Sequence, residues 1–153
     1  MTRPSWDEYF LKIAMLVSER STCLRLKVGA VIVKNKQILA TGYNGAGKGM
    51  KDCLQLGCLK KDRIAGKNYE ECRSIHAEQN AIIQAAANGI NISEATIYQT
   101  YSPCMLCAKM MVNLGVRRVV TYSATVDKNA IQLLKEAGIE YARLPMPDKK
   151  INA

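Results

Sequence analysis

From residue 76 the chain reads HAEQNAIIQAAANG (76–89), ATIYQT (95–100), CMLCAKMMVNLG (104–115), VRRVVTY (116–122), DKNAIQLLKEAG (127–138) and IEYARL (139–144). Three of these blocks carry helix formers and end in glycine, the residue that terminates helices in a left-handed turn. They predict helices over Ala77–Asn88, Cys104–Leu114 and Asp127–Ala137, closed by Gly89, Gly115 and Gly138. The blocks between are short and rich in β-branched and aromatic residues, predicting strands over Ala95–Thr100, Val116–Tyr122 and Ile139–Leu144. Strands separated by single helices argue for helices laid over a mixed sheet.

Working back toward the N-terminus, Val28–Val33 and Ile38–Tyr43 are two further β-rich runs, and Lys34-Asn35-Lys36 between them predicts a hairpin. Before them, Ser5-Trp6-Asp7-Glu8 fits a capping box, followed by apolar residues at helical spacing: Trp6, Phe10, Ile13 and Val17. Residues 44–75 break the pattern. They hold five glycines, many lysines and three cysteines, the signature of a long insert tied down by something other than regular structure. The expected fold is an α/β domain of three layers, α/β/α, with a central mixed sheet of about five strands. It fills residues 1–153 as one domain with a cysteine-bearing insert at about 44–75. The tail from Pro145 is polar and is expected to be loose.

At 153 residues, 48% of them hydrophobic and 23% charged, the chain can bury a core without disulfides. No apolar run approaches the ~18–20 residues of a membrane span, and the N-terminus has no apolar signal region. A cytoplasmic location with no membrane partner is expected. Twenty-two basic against 13 acidic residues give a net charge of +9, which favours anionic partners such as nucleotides or nucleic acid. In a reducing compartment, six cysteines point to metal ligation or catalysis rather than to disulfides.

The chemistry falls at the starts of two predicted helices. His76-Ala77-Glu78 opens one, and Pro103-Cys104-Met105-Leu106-Cys107 opens the next, with 24 residues between Glu78 and Pro103. This is the H-x-E…P-C-x-x-C spacing of zinc-hydrolytic deaminases. His76, Cys104 and Cys107 supply three ligands for Zn2+ and leave the fourth position to water. A helix N-terminus favours the thiolate form of its cysteines. Glu78, two residues beyond His76, is placed to move protons as a general acid and base. Taken singly, each residue has a duller reading: a structural histidine, a redox or structural C-x-x-C, a surface carboxylate at a helix start. The joint spacing selects the catalytic one.

The chain resembles the deoxycytidylate (dCMP) deaminases of the cytidine deaminase-like superfamily. The resemblance runs from about Arg3 to Leu144. It is carried by Arg3–Phe10, Arg20-Ser21-Thr22-Cys23, Val28–Val33, Gly42-Tyr43-Asn44-Gly45, His76–Ile83 and Cys107-Ala108-Lys109-Met110. The resemblance implies hydrolysis of dCMP to dUMP and ammonia for thymidylate synthesis. It also implies a homo-oligomer, often a hexamer, activated by dCTP, with Mg2+ accompanying that effector, and inhibited by dTTP. Asn44 matches the residue that hydrogen-bonds the deoxyribose, with Tyr43, Gly45 and Ala77 as further substrate contacts. A 5′-phosphate needs cations: Arg20, Arg25 and Lys27 are candidates, Arg20 best matching the family pattern. Cys23 and Cys53 stand where some members place two ligands of a structural zinc, and Cys58 and Cys72 could complete a Cys₄ set; four unrelated thiols is the alternative.

Three positions depart from the family pattern: Gly47 stands in place of a proline, Tyr101 in place of a histidine, and Thr121 in place of a tyrosine, with Tyr122 one residue later. They bear on the nucleotide pocket and its control, not on the zinc chemistry. Other readings are a tRNA or other nucleic-acid deaminase, which the charge suits, a zinc-stabilised nucleic-acid-binding module without catalysis, and an enzyme of free nucleosides. The Gly-Tyr-Asn-Gly segment and the cysteine-bearing insert speak against a nucleic-acid partner.

Overall fold

A computed structural model of the chain describes residues 2–60, 71–122 and 126–147. The middle of the expected insert and the end of the expected tail lie outside the described residues. The elements are α1 (Trp6–Ser18), β1 (Gly29–Lys34), β2 (Gln37–Tyr43), β3 (Gly45–Ala46), α2 (Cys53–Leu56), β4 (Ser74–Ile75), α3 (Ala77–Ala87), β5 (Thr96–Gln99), α4 (Met105–Asn113), β6 (Arg118–Tyr122), α5 (Lys128–Glu136) and β7 (Glu140–Leu144). No helix among the described residues is long and apolar enough to cross a membrane.

The main sheet has the order β2-β1-β5-β6-β7. β1 runs antiparallel to β2 and β5, while β5, β6 and β7 are mutually parallel. The five-stranded mixed sheet is the one expected. Strand alternation divides the core in two. Ile32, Ile97 and Val119 face α3, α4 and α5, where Ala81, Met111 and Leu134 are buried. Val31, Val33, Tyr98, Val120 and Tyr122 face α1, beneath Phe10, Leu11 and Ala14. The three layers follow.

The local signals act as read. Ser5 Oγ accepts from the Glu8 N–H and Glu8 accepts from the Ser5 N–H, so the capping box of α1 is complete. Asn35 and Lys36 take positive φ (52° and 60°) and join Lys34 to Gln37, so the hairpin turn has two residues rather than three. α3 and α4 end in Schellman turns, with Ile90 and Val116 N–H groups bonded to the carbonyls of Ala85 and Met111.

One stripe differs from expectation. The buried side of α1 is Phe10, Leu11, Ala14 and Ser18, and Trp6 is 44% exposed, stacked on Phe10. The reason is a close approach: a Cβ on Gly29 would collide with the Ala14 carbonyl and the Ser18 amide. Small residues therefore face β1, and the apolar stripe turns by one position. Asp7 then locks α1 to the sheet through Arg118 (2.6 and 2.8 Å) and the Tyr98 hydroxyl (2.8 Å).

Candidate active site

α3 carries its functional residues in its first turn, and its seating fixes them. Ala77, Ala81 and Ala85 form a buried stripe of small side chains that lets the helix lie on β1 and β2. The closest approach is at Gly42, where a Cβ would collide with the Ala77 carbonyl and the Ala81 amide. The Gln79 side chain accepts from the His76 N–H (2.9 Å), and Asn80 Nδ2 donates to the Tyr43 carbonyl (2.8 Å). His76 is the N-cap of α3, and Cys104 is the N-cap of α4.

These two helix starts converge. His76 Nδ1 lies 3.3 Å from Cys107 Sγ and 3.5 Å from Cys104 Sγ. Tetrahedral zinc, with bonds of about 2.05 Å to nitrogen and 2.3 Å to sulfur, needs a nitrogen–sulfur separation of about 3.6 Å. The trio fits that ion. It is the one set of three or more metal-ligating side chains, among the described residues, whose ligand atoms lie within 4.8 Å of one another. The thiols behave as a coupled pair. Hydrogen bonding from Cys107, aided by His76, holds the Cys104 thiol down at about 4, while Cys104 and burial push Cys107 up. A divalent cation bound here would displace the thiol protons. The hydrogen bond with Cys104 raises the pKa of His76, with burial opposing.

Glu78 is buried beside them, and that burial pushes its carboxyl above the usual range. It lines a cavity of about 480 Å³ together with His76, Ala77, Cys104 and Tyr101. A metal-binding trio, a buried carboxyl and an open cavity at the carboxyl ends of parallel strands can polarise a small molecule and move its protons.

The cavity also gathers Cys23, from the connection after α1, and Cys53, Cys58 and Cys72, from the insert. These four do not form a metal-ligating group of the same closeness. Cys53 is packed against Ser74, and burial raises its thiol, with the charges of Cys72, Cys23 and Cys58 adding to the rise. The insert is closed at its base by the β3–β4 ladder, Gly45 to Ile75 and Ala46 to Ser74, two residues long and without a sequence signal.

Of the substrate candidates, Asn44 and Ala77 line the cavity, whereas Arg20, Lys27, Tyr43 and Gly45 do not. Asn44 is already engaged: Oδ1 accepts from the Ser21 hydroxyl (2.6 Å) and the Val28 N–H (2.8 Å), and Nδ2 donates to the Leu26 carbonyl (2.8 Å). An amide nitrogen has two hydrogens, so one is left for a ligand. Among the described residues, the lysine and arginine side chains that line the cavity are those of Arg25 and Lys60. Lys60 is 5% exposed, and its carbonyl accepts from Arg25 Nη1 (2.8 Å). Nothing in the sequence singles it out from the other lysines of the insert. Thr121 is buried and shares a hydrogen bond with Tyr141 (2.8 Å), while Tyr122 packs under α1, so these neighbours serve opposite faces of the sheet.

Fold and site together place a His/Cys/Cys set able to hold zinc beside a buried carboxyl. Residues 4–123 match the family model described as the cytidine and deoxycytidylate deaminase zinc-binding region, and the chain belongs to that family. A curated relative is the deoxycytidylate deaminase of Saccharomyces cerevisiae, 37% identical over 91% of this chain and 45% of its own length. Another is ComE operon protein 2 of Bacillus subtilis, 38% identical over 97% of this chain and 76% of its own length. The chain spans about half the length of the yeast relatives it matches. The dCMP deaminase of cyanophage S-TIM5, solved in complex with dCMP and dUMP, superposes with a TM-score of 0.78 at 33% identity, over 94% of this chain and all of that one.

Proposed function

We propose that the chain hydrolyses dCMP to dUMP and ammonia. The observation that carries this is the convergence of His76, Cys104 and Cys107 beside buried Glu78, at one cavity, in a chain similar to a structure holding dCMP and dUMP. His76 Nδ1 and the sulfurs of Cys104 and Cys107 would hold the zinc, which supplies a Lewis acid able to lower the pKa of water to about 7. Glu78 takes one proton from the attacking water and delivers it to ring nitrogen N3. It takes the second and gives it to the departing amine, so that dCMP and water leave as dUMP and ammonia. Burial raises the Glu78 carboxyl above its usual range, which is the direction a proton carrier needs. Replacing Glu78 by glutamine should cost ~10²–10⁴-fold in ammonia release while zinc stays bound. Full activity of that variant would defeat the reading.

The phosphate belongs with Arg25 and Lys60, which line the cavity, rather than with Arg20 and Lys27, which do not. The free hydrogen of Asn44 Nδ2 is the donor offered to the deoxyribose. Lys60→Ala should raise KM for dCMP about tenfold and leave turnover of deoxycytidine unchanged.

We further propose that Cys23, Cys53, Cys58 and Cys72 bind a second, structural zinc. Two backbone amides support it, since Arg25 and Lys60 N–H groups point at Cys23 and Cys58 Sγ (3.4 Å each) and would stabilise thiolates. Family membership supports dCTP activation with Mg2+, dTTP inhibition, a cytoplasmic site of action and a homo-oligomer such as a hexamer. Exposed Met50, Leu54 and Leu59 on the insert are apolar surface of the kind that subunit contacts cover. Light scattering and effector titrations test these points.

A further inference from the structure

Glu78 is not left to orient itself. Gln99, the last residue of β5, is fully buried, and its Nε2 donates to Glu78 Oε1 (3.2 Å) and to the Tyr101 carbonyl (2.7 Å). Both amide hydrogens are thereby used. Gln99 Oε1 has no partner. Turning the amide over would aim that oxygen at a carbonyl and a carboxylate, so the two acceptors fix which end is nitrogen. A buried, unpartnered amide oxygen opposes folding, and an apolar side chain of similar shape would avoid the penalty. The amide is therefore a poor choice for packing and a good one for placing a donor.

We propose that Gln99 is a positioning residue for proton transfer. Its N–H occupies Oε1, so the travelling proton rides on Glu78 Oε2. The same nitrogen grips the Tyr101 carbonyl, three residues before Cys104, so one side chain holds the carboxyl and the metal-bearing loop in register. The inference rests on Glu78 being the proton carrier. It adds that the carrier's orientation is imposed from the sheet, not from α3 alone.

The test compares Gln99→Met, which keeps the volume and lacks the donor, and Gln99→Asn, which withdraws the amide by one methylene. Each is purified with zinc and assayed on dCMP beside Glu78→Gln and the Glu78→Gln, Gln99→Met double variant. The expected result is a kcat lower by about 10- to 100-fold with KM within about twofold and zinc content unchanged. Adding Gln99→Met to Glu78→Gln should cost nothing more, because no carboxylate remains to be placed. Folded, zinc-loaded Gln99 variants with wild-type kcat, beside an inactive Glu78→Gln, would overturn the positioning role alone. So would a kcat that falls only in step with lost zinc. An active Glu78→Gln would instead remove the reading beneath it.

Discussion

The two sets of thiols around the cavity are held in different ways. Cys104 and Cys107 sit at the start of α4, buried among the core residues of the sheet, and face a histidine that caps a second core helix. Cys23, Cys53, Cys58 and Cys72 stand on the connection after α1 and on the insert, and of these only Cys53 is fully buried. The first set is held by packed elements of the core. The second lines the same space without the closeness of a ligand shell. A site built on packed helix ends is suited to chemistry, whose geometry must not drift. A site built on loops gains more from the metal than it gives, because binding would itself order the chain.

The contrast can be broken most severely at His76. His76→Ala should release the catalytic metal and abolish turnover, exceeding the ~10²–10⁴-fold loss expected of Glu78→Gln. Its melting temperature should stay close to wild type, as checked by calorimetry with metal analysis. Next is Gly42→Ala, which touches no substrate. The added methyl meets the backbone of α3, so the helix must shift. A loss of about 10²-fold in kcat and about 1–3 kcal/mol in stability is expected, measured by steady-state kinetics and urea melts.

Cys53→Ser probes the other side. If the insert set binds zinc, the metal count should fall from two per chain to one, with a lower melting temperature and less than tenfold change in kcat/KM. One zinc per wild-type chain would erase the contrast.

The smallest effect serves as a control remote from both. Arg118 holds the Asp7 carboxyl below its usual range. The stability gained is present above the unfolded pKa of about 3.9 and is lost as pH falls through the lower folded value. Asp7→Asn should cost about 1–2 kcal/mol at pH 7. Its gap from wild type in thermal melts should close below about pH 4. Activity per folded molecule should not change.

Much of this was legible in the chain. The capping box at Ser5, the hairpin at Asn35-Lys36 and the glycines ending α3 and α4 are local devices, each settled within about six residues. The metal trio is legible for a related reason: Cys104 and Cys107 are fixed by one helical turn, and His76 and Glu78 by another. Trp6 misled because a helical stripe has an ambiguous edge: Phe10 is buried as read, while the close approach at Gly29 brings Leu11 and Ala14 in beside it. Lys60 was invisible among many lysines, since an insert has no periodicity from which burial can be read.

The sequence by itself therefore determined the order of elements, most of their ends and which residues stand at the starts of α3 and α4, because those depend on short-range backbone geometry. Only the tertiary structure decided that Gln99 meets Glu78, that Arg25 and Lys60 line the cavity, and that Cys23 and the insert's Cys53, Cys58 and Cys72 share it with His76 and Cys104. Those meetings join residues many positions apart, and they follow from how helices seat on a sheet, which no local pattern records.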